Sequence, residues 1–132
     1  LRLIVICPSN PYVSIDPILR IPGVVDLIEA RQIPVVAVSP IISGQALKGP
    51  AAKIMKELGE LPSAMAVAKY YLTQYQDILT GFMIDEKDRI LESDLSAMGL
   101  RTSVTNTFMV TLQDRMNLAQ EVLTFGTGLT NT

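Results

Sequence analysis

At 132 residues with 48% hydrophobic side chains, the chain is sized for one domain that buries a core without a disulfide or metal staple. A formal net charge of −2 and the lack of any Lys/Arg cluster exclude a nucleic-acid footprint. With no histidine and a single cysteine, Cys7, a zinc site, a Ser-His-Asp triad and an internal disulfide are excluded from this chain alone.

The first apolar run, Leu3–Cys7, is β-branched and closed by Pro8. It predicts a strand buried on both faces, with Cys7 as a small core residue. Asp16-Pro17 predicts a helix start, with Asp16 as the cap, and Val24 to Arg31 a second short helix. Ile33 to Val38 reads as another buried strand, followed by the loop 39–48. Gly49-Pro50 opens a helix over Ala51–Leu58 that Gly59 ends. The next helix, Ser63 to about Gln76, carries Met65, Ala68, Leu72 and Tyr75 at helical spacing. A third strand is expected at Ile78–Ile84, a short helix at Ser93–Met98, and a fourth strand at Arg101–Val104. The last helix starts at Thr111, with Asp114 completing a capping box, and runs to about Phe125; the Gly/Thr-rich tail 126–132 is expected to fray. The six methionines are scattered over different elements and read as core filling.

Strands that alternate with helices imply right-handed crossovers and an α/β fold, a mostly parallel sheet covered on both faces. The whole of 1–132 is expected to be one α/β domain. No apolar run approaches the roughly 20 residues of a membrane span, and no basic segment precedes a long apolar one. The expected setting is therefore the reducing cytoplasm, with no membrane partner. Leu1 stands inside an apparent strand without an initiator Met, which reads as a fragment or processed product.

Ligands of such sheets bind outside the carboxyl ends of the strands, so the loops 8–16, 39–49, 85–92 and 105–111 carry the candidate chemistry. Cys7-Pro8-Ser9-Asn10-Pro11-Tyr12-Val13-Ser14 offers hydroxyls, an amide and free N–H groups, suited to a phosphate; ordinary turn chemistry is the other reading. Lys48 lies beside a helix start, where a cation opposes the helix dipole unless an anion sits there; a solvated surface lysine is the alternative. Asp85-Glu86-Lys87-Asp88 can hold Mg²⁺ through oxygens or form a charged, solvated turn.

ICPSNPYVSIDPIL and PVVAVSPIISGQALKGPAAKIMKELG resemble the 2-phospho-L-lactate transferase (CofD) family. SAMAVAKYY, GFMIDEKD, MGLRT, TNTFM and NLAQEVL are similar to the carboxyl-terminal end of that family, so the chain reads as the carboxyl-terminal portion of a longer transferase. The resemblance implies a Rossmann-like three-layer sandwich and a homodimer. It implies transfer of a phospholactyl or phosphoenolpyruvyl group from a guanosine-diphosphate-linked donor to a deazaflavin acceptor. GMP is released, Mg²⁺ is required, and the product is a deazaflavin coenzyme. It also implies that Ser9, Asn10, Ser14, Ser39 and Lys48 contribute to the ligand crevice.

Two departures accompany it. The family's glycine-rich loop and its magnesium-holding acids lie upstream and nothing here matches them, so the fragment alone is expected to be inactive. Gln45 stands where a small or basic residue is expected. A non-catalytic CofD-like nucleotide or nucleotide-sugar binder is the alternative function.

Overall fold

The computed structural model describes residues 1–46 and 49–130. Strand β1 is Ile4–Ile6, and Asn10 then opens a π-helical turn, Pro11–Ile15, that passes directly into helix α1, Asp16–Leu19. Helix α2, Val24–Ala30, returns the chain to strand β2, Val35–Val38. The stretch read as an open loop holds a small antiparallel hairpin, β3 (Ile41–Ile42) with β4 (Gln45–Ala46). Ser43 and Gly44 close it at φ +49° and +77°, the two successive positive values of a primed hairpin turn.

Helix α3, Ala51–Glu57, follows Pro50, and helix α4, Ala64–Gln74, is capped by Ser63, whose hydroxyl accepts from the Ala66 N–H at 3.0 Å. A 3₁₀ turn, Gln76–Ile78, takes the start of the expected third strand, and strand β5 is Gly81–Asp85. A second 3₁₀ segment, Glu86–Leu91, leads into helix α5, Glu92–Ala97, strand β6, Arg101–Thr105, and helix α6, Leu112–Thr130. The capping box forms as expected: Asp114 accepts from the Val110 and Thr111 N–H groups, each at 2.9 Å, while Thr111 Oγ1 accepts from the Asp114 N–H. Among the described residues no helix is long and apolar enough to cross a membrane.

The main sheet is parallel throughout, in the order β1-β2-β5-β6, with Ile6 opposite Ala37, Ala37 opposite Phe82 and Phe82 opposite Thr102. Because successive strands add in one direction, right-handed crossovers place α1 to α5 on a single face. There Ile6, Val35, Ala37, Phe82 and Ile84 pack with Leu19, Met55, Val67, Tyr71 and Leu95. The other face carries α6, whose Leu118, Val122 and Leu129 cover Val36, Val38 and Met83. Helices thus flank the sheet on both sides, the three-layer α/β arrangement the sequence implies.

Several local expectations fail for physical reasons. β1 is an edge strand, so Val5 is 37% exposed and Cys7 is exposed too, not core. On α4 the core stripe is Ala64, Val67, Ala68 and Tyr71 with Tyr75 beyond it; Met65 and Leu72 sit at its margin. Met55 and Met83 fill core, but Met109 and Met116 are exposed. Finally, α6 continues to Thr130 instead of fraying after Phe125. Close approach explains this: a Cβ on Gly126 would lie 2.5 Å from Leu3 Cδ2, and one on Gly81 would lie 2.7 Å from Phe125 Cε1. Glycine at both positions lets the end of α6 lie directly on the sheet, and that packing outweighs its poor helix propensity.

Candidate ligand-binding site

Since all four strands run the same way, the loops after β1, β2, β5 and β6 meet at one end of the sheet, the end where such folds bind ligands. Larger cavities of about 490 and 520 Å³ lie at the opposite end, around Gln32–Pro34, away from those loops.

After β1, Asn10 is 8% exposed and organises the turn from within. Its Oδ1 accepts from the N–H groups of Tyr12 at 2.9 Å and Val13 at 3.3 Å, and its carbonyl accepts from Ser14 and Ile15. Its Nδ2 is fully buried and donates to no partner among the described residues. Ser9 is half-buried and Ser14 exposed on the same turn.

Asp16 is not the cap the sequence predicts, because the chain is already helical at Ile15. Its buried carboxylate instead accepts from the hydroxyl of Tyr75 at 2.6 Å and from that of Tyr70, with Arg20 at 3.6 Å. Tyr12 packs on Tyr70 with ring centroids 4.7 Å apart. Burial, and then the hydrogen bond to Asp16, push the Tyr70 hydroxyl up to about 12 and raise that of Tyr75 as well. This cluster anchors the β1 loop to α4. Sequence spacing gave no signal for it, as Asp16 and Tyr70 are 54 positions apart.

After β2, Ser39 is fully buried; its hydroxyl donates to the Ile41 carbonyl at 2.9 Å and accepts from the Ile41 N–H at 3.1 Å. Its place is to bend the chain into the hairpin. Lys48 lies outside the described residues. After β5, the reading of 85–88 as a solvated turn fails for two of its acids: Asp85 and Asp88 are 3% and 8% exposed. Asp85 accepts from the Lys87 N–H at 3.0 Å and from the N–H and hydroxyl of Thr107 at 2.9 and 3.2 Å. Asp88 accepts from the Ser43 N–H with both oxygens, at 3.2 and 3.1 Å. These two acids pin the hairpin and the β6 loop around a cavity of about 400 Å³ lined by Ile42, Ser43, Gln45, Ala46, Asp85 and Phe108. The Ser43-Gly44 pair was the available signal for the hairpin; nothing in the sequence marked Thr107. The turn bearing Ser9, Asn10 and Ser14 and the hairpin cavity therefore share one end of the sheet, but Ser39 is turned inward.

The family model for 2-phospho-L-lactate transferase CofD matches residues 2–118. The chain belongs to the CofD family. It is similar to the 2-phospho-L-lactate transferase of Methanosarcina barkeri, 42% identical over 120 residues that make up 91% of this chain and 37% of that protein. Likeness to the 2-phospho-L-lactate transferase of Methanocaldococcus jannaschii is 37% over 123 residues, 93% of this chain and 37% of the relative. The phosphoenolpyruvate transferase of Streptomyces griseus is 32% identical over 121 residues, 92% of this chain and 37% of its own length. The chain thus spans little more than a third of the CofD relatives it matches.

Proposed function

We propose that this chain forms the carboxyl-terminal part of a transferase that moves a phospholactyl or phosphoenolpyruvyl group from a guanosine-diphosphate-linked donor to the ribityl hydroxyl of a deazaflavin precursor. The hydroxyl oxygen forms a bond to the phosphorus bearing the three-carbon group, the phosphoanhydride bond breaks, and GMP departs. The hydroxyl proton goes to solvent or to a base. The observation that carries this reading is the match of residues 2–118 to the CofD family, and the buried, unpartnered Nδ2 of Asn10 at the carboxyl end of β1 is where the structure adds to it. A buried donor without an acceptor costs about 1–3 kcal/mol, and an anionic ligand oxygen would satisfy it. The names of the CofD relatives support the reaction class.

In this reading Asn10, Ser9 and Ser14 donate to phosphate oxygens, Ser39 shapes the loop, and Lys48 faces a negative part of the ligand. Asp16 and the tyrosines hold the turn, while Asp85 and Asp88 hold the hairpin across from it. Such displacement asks the protein mainly for positioning and charge neutralisation. When bound, Mg²⁺ would neutralise the diphosphate. The described residues alone do not fit that ion: no three of their acids or thiols stand together, and the oxygens of Asp85 and Asp88 already accept main-chain N–H groups. In this reading the magnesium ligands lie outside these residues, the isolated chain is inactive, and the complete enzyme works as a homodimer in the cytoplasm.

The test replaces the matching 120 residues of the Methanosarcina barkeri relative with this chain and follows GMP release. In that chimera Asn10→Ala should weaken donor binding by calorimetry about tenfold or more, the equivalent of one charge-assisted hydrogen bond, with the fold intact by circular dichroism. Unchanged affinity would overturn the role of Asn10, and a folded chimera without GMP release would overturn the reaction.

A further inference from the structure

The cavity between the hairpin and the β6 loop differs in chemistry from the β1 turn. With Thr107 fastened inward on Asp85, the next residue, Phe108, is turned outward, and its N–H donates to Asn106 Oδ1 at 3.1 Å. Of the four tyrosines and three phenylalanines, Phe108 is the one that stands exposed, at 52%. A lone exposed phenylalanine is ordinary by itself. What distinguishes this one is the concave wall it helps to form, a cavity of about 400 Å³ with Ile42 and Ala46 as aliphatic surface and Gln45, Glu86 and Asn106 at its polar rim. Small-molecule sites have that size, roughly 300–1,000 Å³, and that composition, an apolar lining with a few polar groups. The walls are also fixed before any ligand arrives. Asp88 holds the Ser43 N–H with both oxygens, and Asp85 holds Lys87 and Thr107. A site pre-formed in this way loses little ordering entropy on binding.

Charge decides what such a site accepts. Asp85 and Glu86 line the cavity and Asp88 closes it, with Lys87 as the one cation among its described lining residues. That balance repels a phosphate, whereas the β1 turn offers donors to one. A flat, uncharged ring is compatible with it. Its face can lie on the exposed phenyl ring, and its edge can meet the side-chain amides, each of which offers N–H and C=O groups together. We infer that this cavity is a ring-binding subsite, in which Phe108 stacks on a planar heteroaromatic ring and Gln45 reads its lactam or imide edge. Gln45, where a small or basic residue is expected, thus becomes a specificity-determining position. The choice of ring rests on the function proposed above, whose ligands carry two of this chemistry, the acceptor's deazaflavin and the donor's guanine. Placement agrees with either. The hairpin follows β2 and Phe108 follows β6, so the cavity lies one to three strand spacings from the Asn10 turn, roughly 5–15 Å. A ribityl chain or a ribose diphosphate reaches across such a span.

Two phosphate-free probes test this, a ribityl deazaflavin and guanosine. Each is titrated into the 132-residue chain and into the Methanosarcina barkeri chimera, and amide shifts are followed by NMR. At least one probe should shift the amides of Ser43, Gln45 and Phe108 together. Phe108→Ala and Phe108→Leu should each weaken that probe about tenfold, the loss of one stacked ring. Phe108→Tyr keeps the flat face and should stay within about threefold of the parent. Gln45→Leu should erase any preference for the parent ring over its N-methylated lactam or imide. Phe108 lies outside both core clusters, so these variants should keep the fold, as circular dichroism would show. A response to the deazaflavin alone would assign the cavity to the acceptor, and a response to guanosine alone to the donor base. No shift at the hairpin with either probe in either protein would overturn the inference, as would equal affinity in Phe108→Leu and Phe108→Tyr. The outcome is separable from the transferase reading. Asn10→Ala should leave ring binding unchanged, and a chimera that binds the ring through Phe108 without releasing GMP would count against the reaction alone.

Discussion

Removing the Asp16 carboxylate should unfasten the β1 loop from α4, and its cost can be worked from the contacts. Asp16 is 7% exposed and receives the Tyr75 hydroxyl at 2.6 Å. A hydrogen bond to a charged group contributes about 1.5–3 kcal/mol. The second bond, from Tyr70, counts for less, since that ring is half-buried and its hydroxyl can turn to water. The Arg20 pair adds little, because the arginine side chain is 57% exposed. Asp16→Ala should therefore lose about 2–3 kcal/mol in total, or about 6–15 °C in melting temperature at roughly 3–5 °C per kcal/mol for a domain of this size. Calorimetry of the chain at neutral pH measures this. Tyr75→Phe should cost less, and the two changes together less than their sum, with a coupling of about 1 kcal/mol or more. A drop below about 2 °C for Asp16→Ala, or strict additivity with Tyr75→Phe, would refute the anchoring role.

Other consequences are open to measurement. Gly81→Ala should destabilise by about 1–3 kcal/mol in urea titration through overpacking, since its Cβ would meet the Phe125 ring at 2.7 Å; Phe125→Leu in the same chain should recover part of the loss. Asp85→Ala should remove hydrogen-exchange protection at the Thr107 amide while leaving the β5 amides protected, because the Thr107 N–H donates to Asp85 at 2.9 Å. For pH, a tyrosine whose folded value is raised favours the fold while it keeps its proton. The contribution of Tyr70 should thus be whole below its ordinary value of 10.0 and be lost as pH rises toward about 12. Tyr75 acts in the same direction. Melting temperatures from pH 8 to 12 should fall steeply in the upper half of that range, and the Tyr70→Phe, Tyr75→Phe double variant should flatten the fall.

The strand-helix alternation was legible because short β-branched runs such as Val35–Val38 and helix signals such as Ser63 and Thr111 act locally. Parallel pairing then follows from crossover handedness, and with it the gathering of the four loops at one end. What was not legible depends on partners distant in sequence. Cys7 and Val5 look like core by composition, yet exposure depends on which strand becomes an edge. The sequence makes Asp16 a cap because Pro17 follows it, but two tyrosines more than fifty positions away claim its oxygens. Gly126 reads as a helix end, whereas the side chain of Leu3, from the far end of the chain, makes it a point of close approach.

The polar groups at the carboxyl end of the sheet divide into two kinds, and the division bears on mechanism. The buried side-chain acceptors are committed to protein donors: Asn10 Oδ1 to Tyr12 and Val13, Asp85 to Lys87 and Thr107, Asp88 to Ser43, Asp16 to Tyr70 and Tyr75, while Glu86 stands exposed at the rim of the hairpin cavity. Each buried acceptor holds a loop in place, and in a low-dielectric setting such bonds are strong enough to fix it. An acid held this way has its oxygens turned to the loop it supports and not to a ligand. On the β1 turn the groups not so committed include a donor, the buried amide of Asn10, beside the hydroxyls of Ser9 and Ser14. Rigid loops that present donors are what a phosphorus-centred displacement needs from a protein, because the developing charge lies on phosphate oxygens and there is little covalent work to share. On the function proposed above, these buried acids serve to hold the loops, and the ligand contacts are assigned to the donors of the β1 turn, with Asn10 the side chain whose replacement tests that assignment.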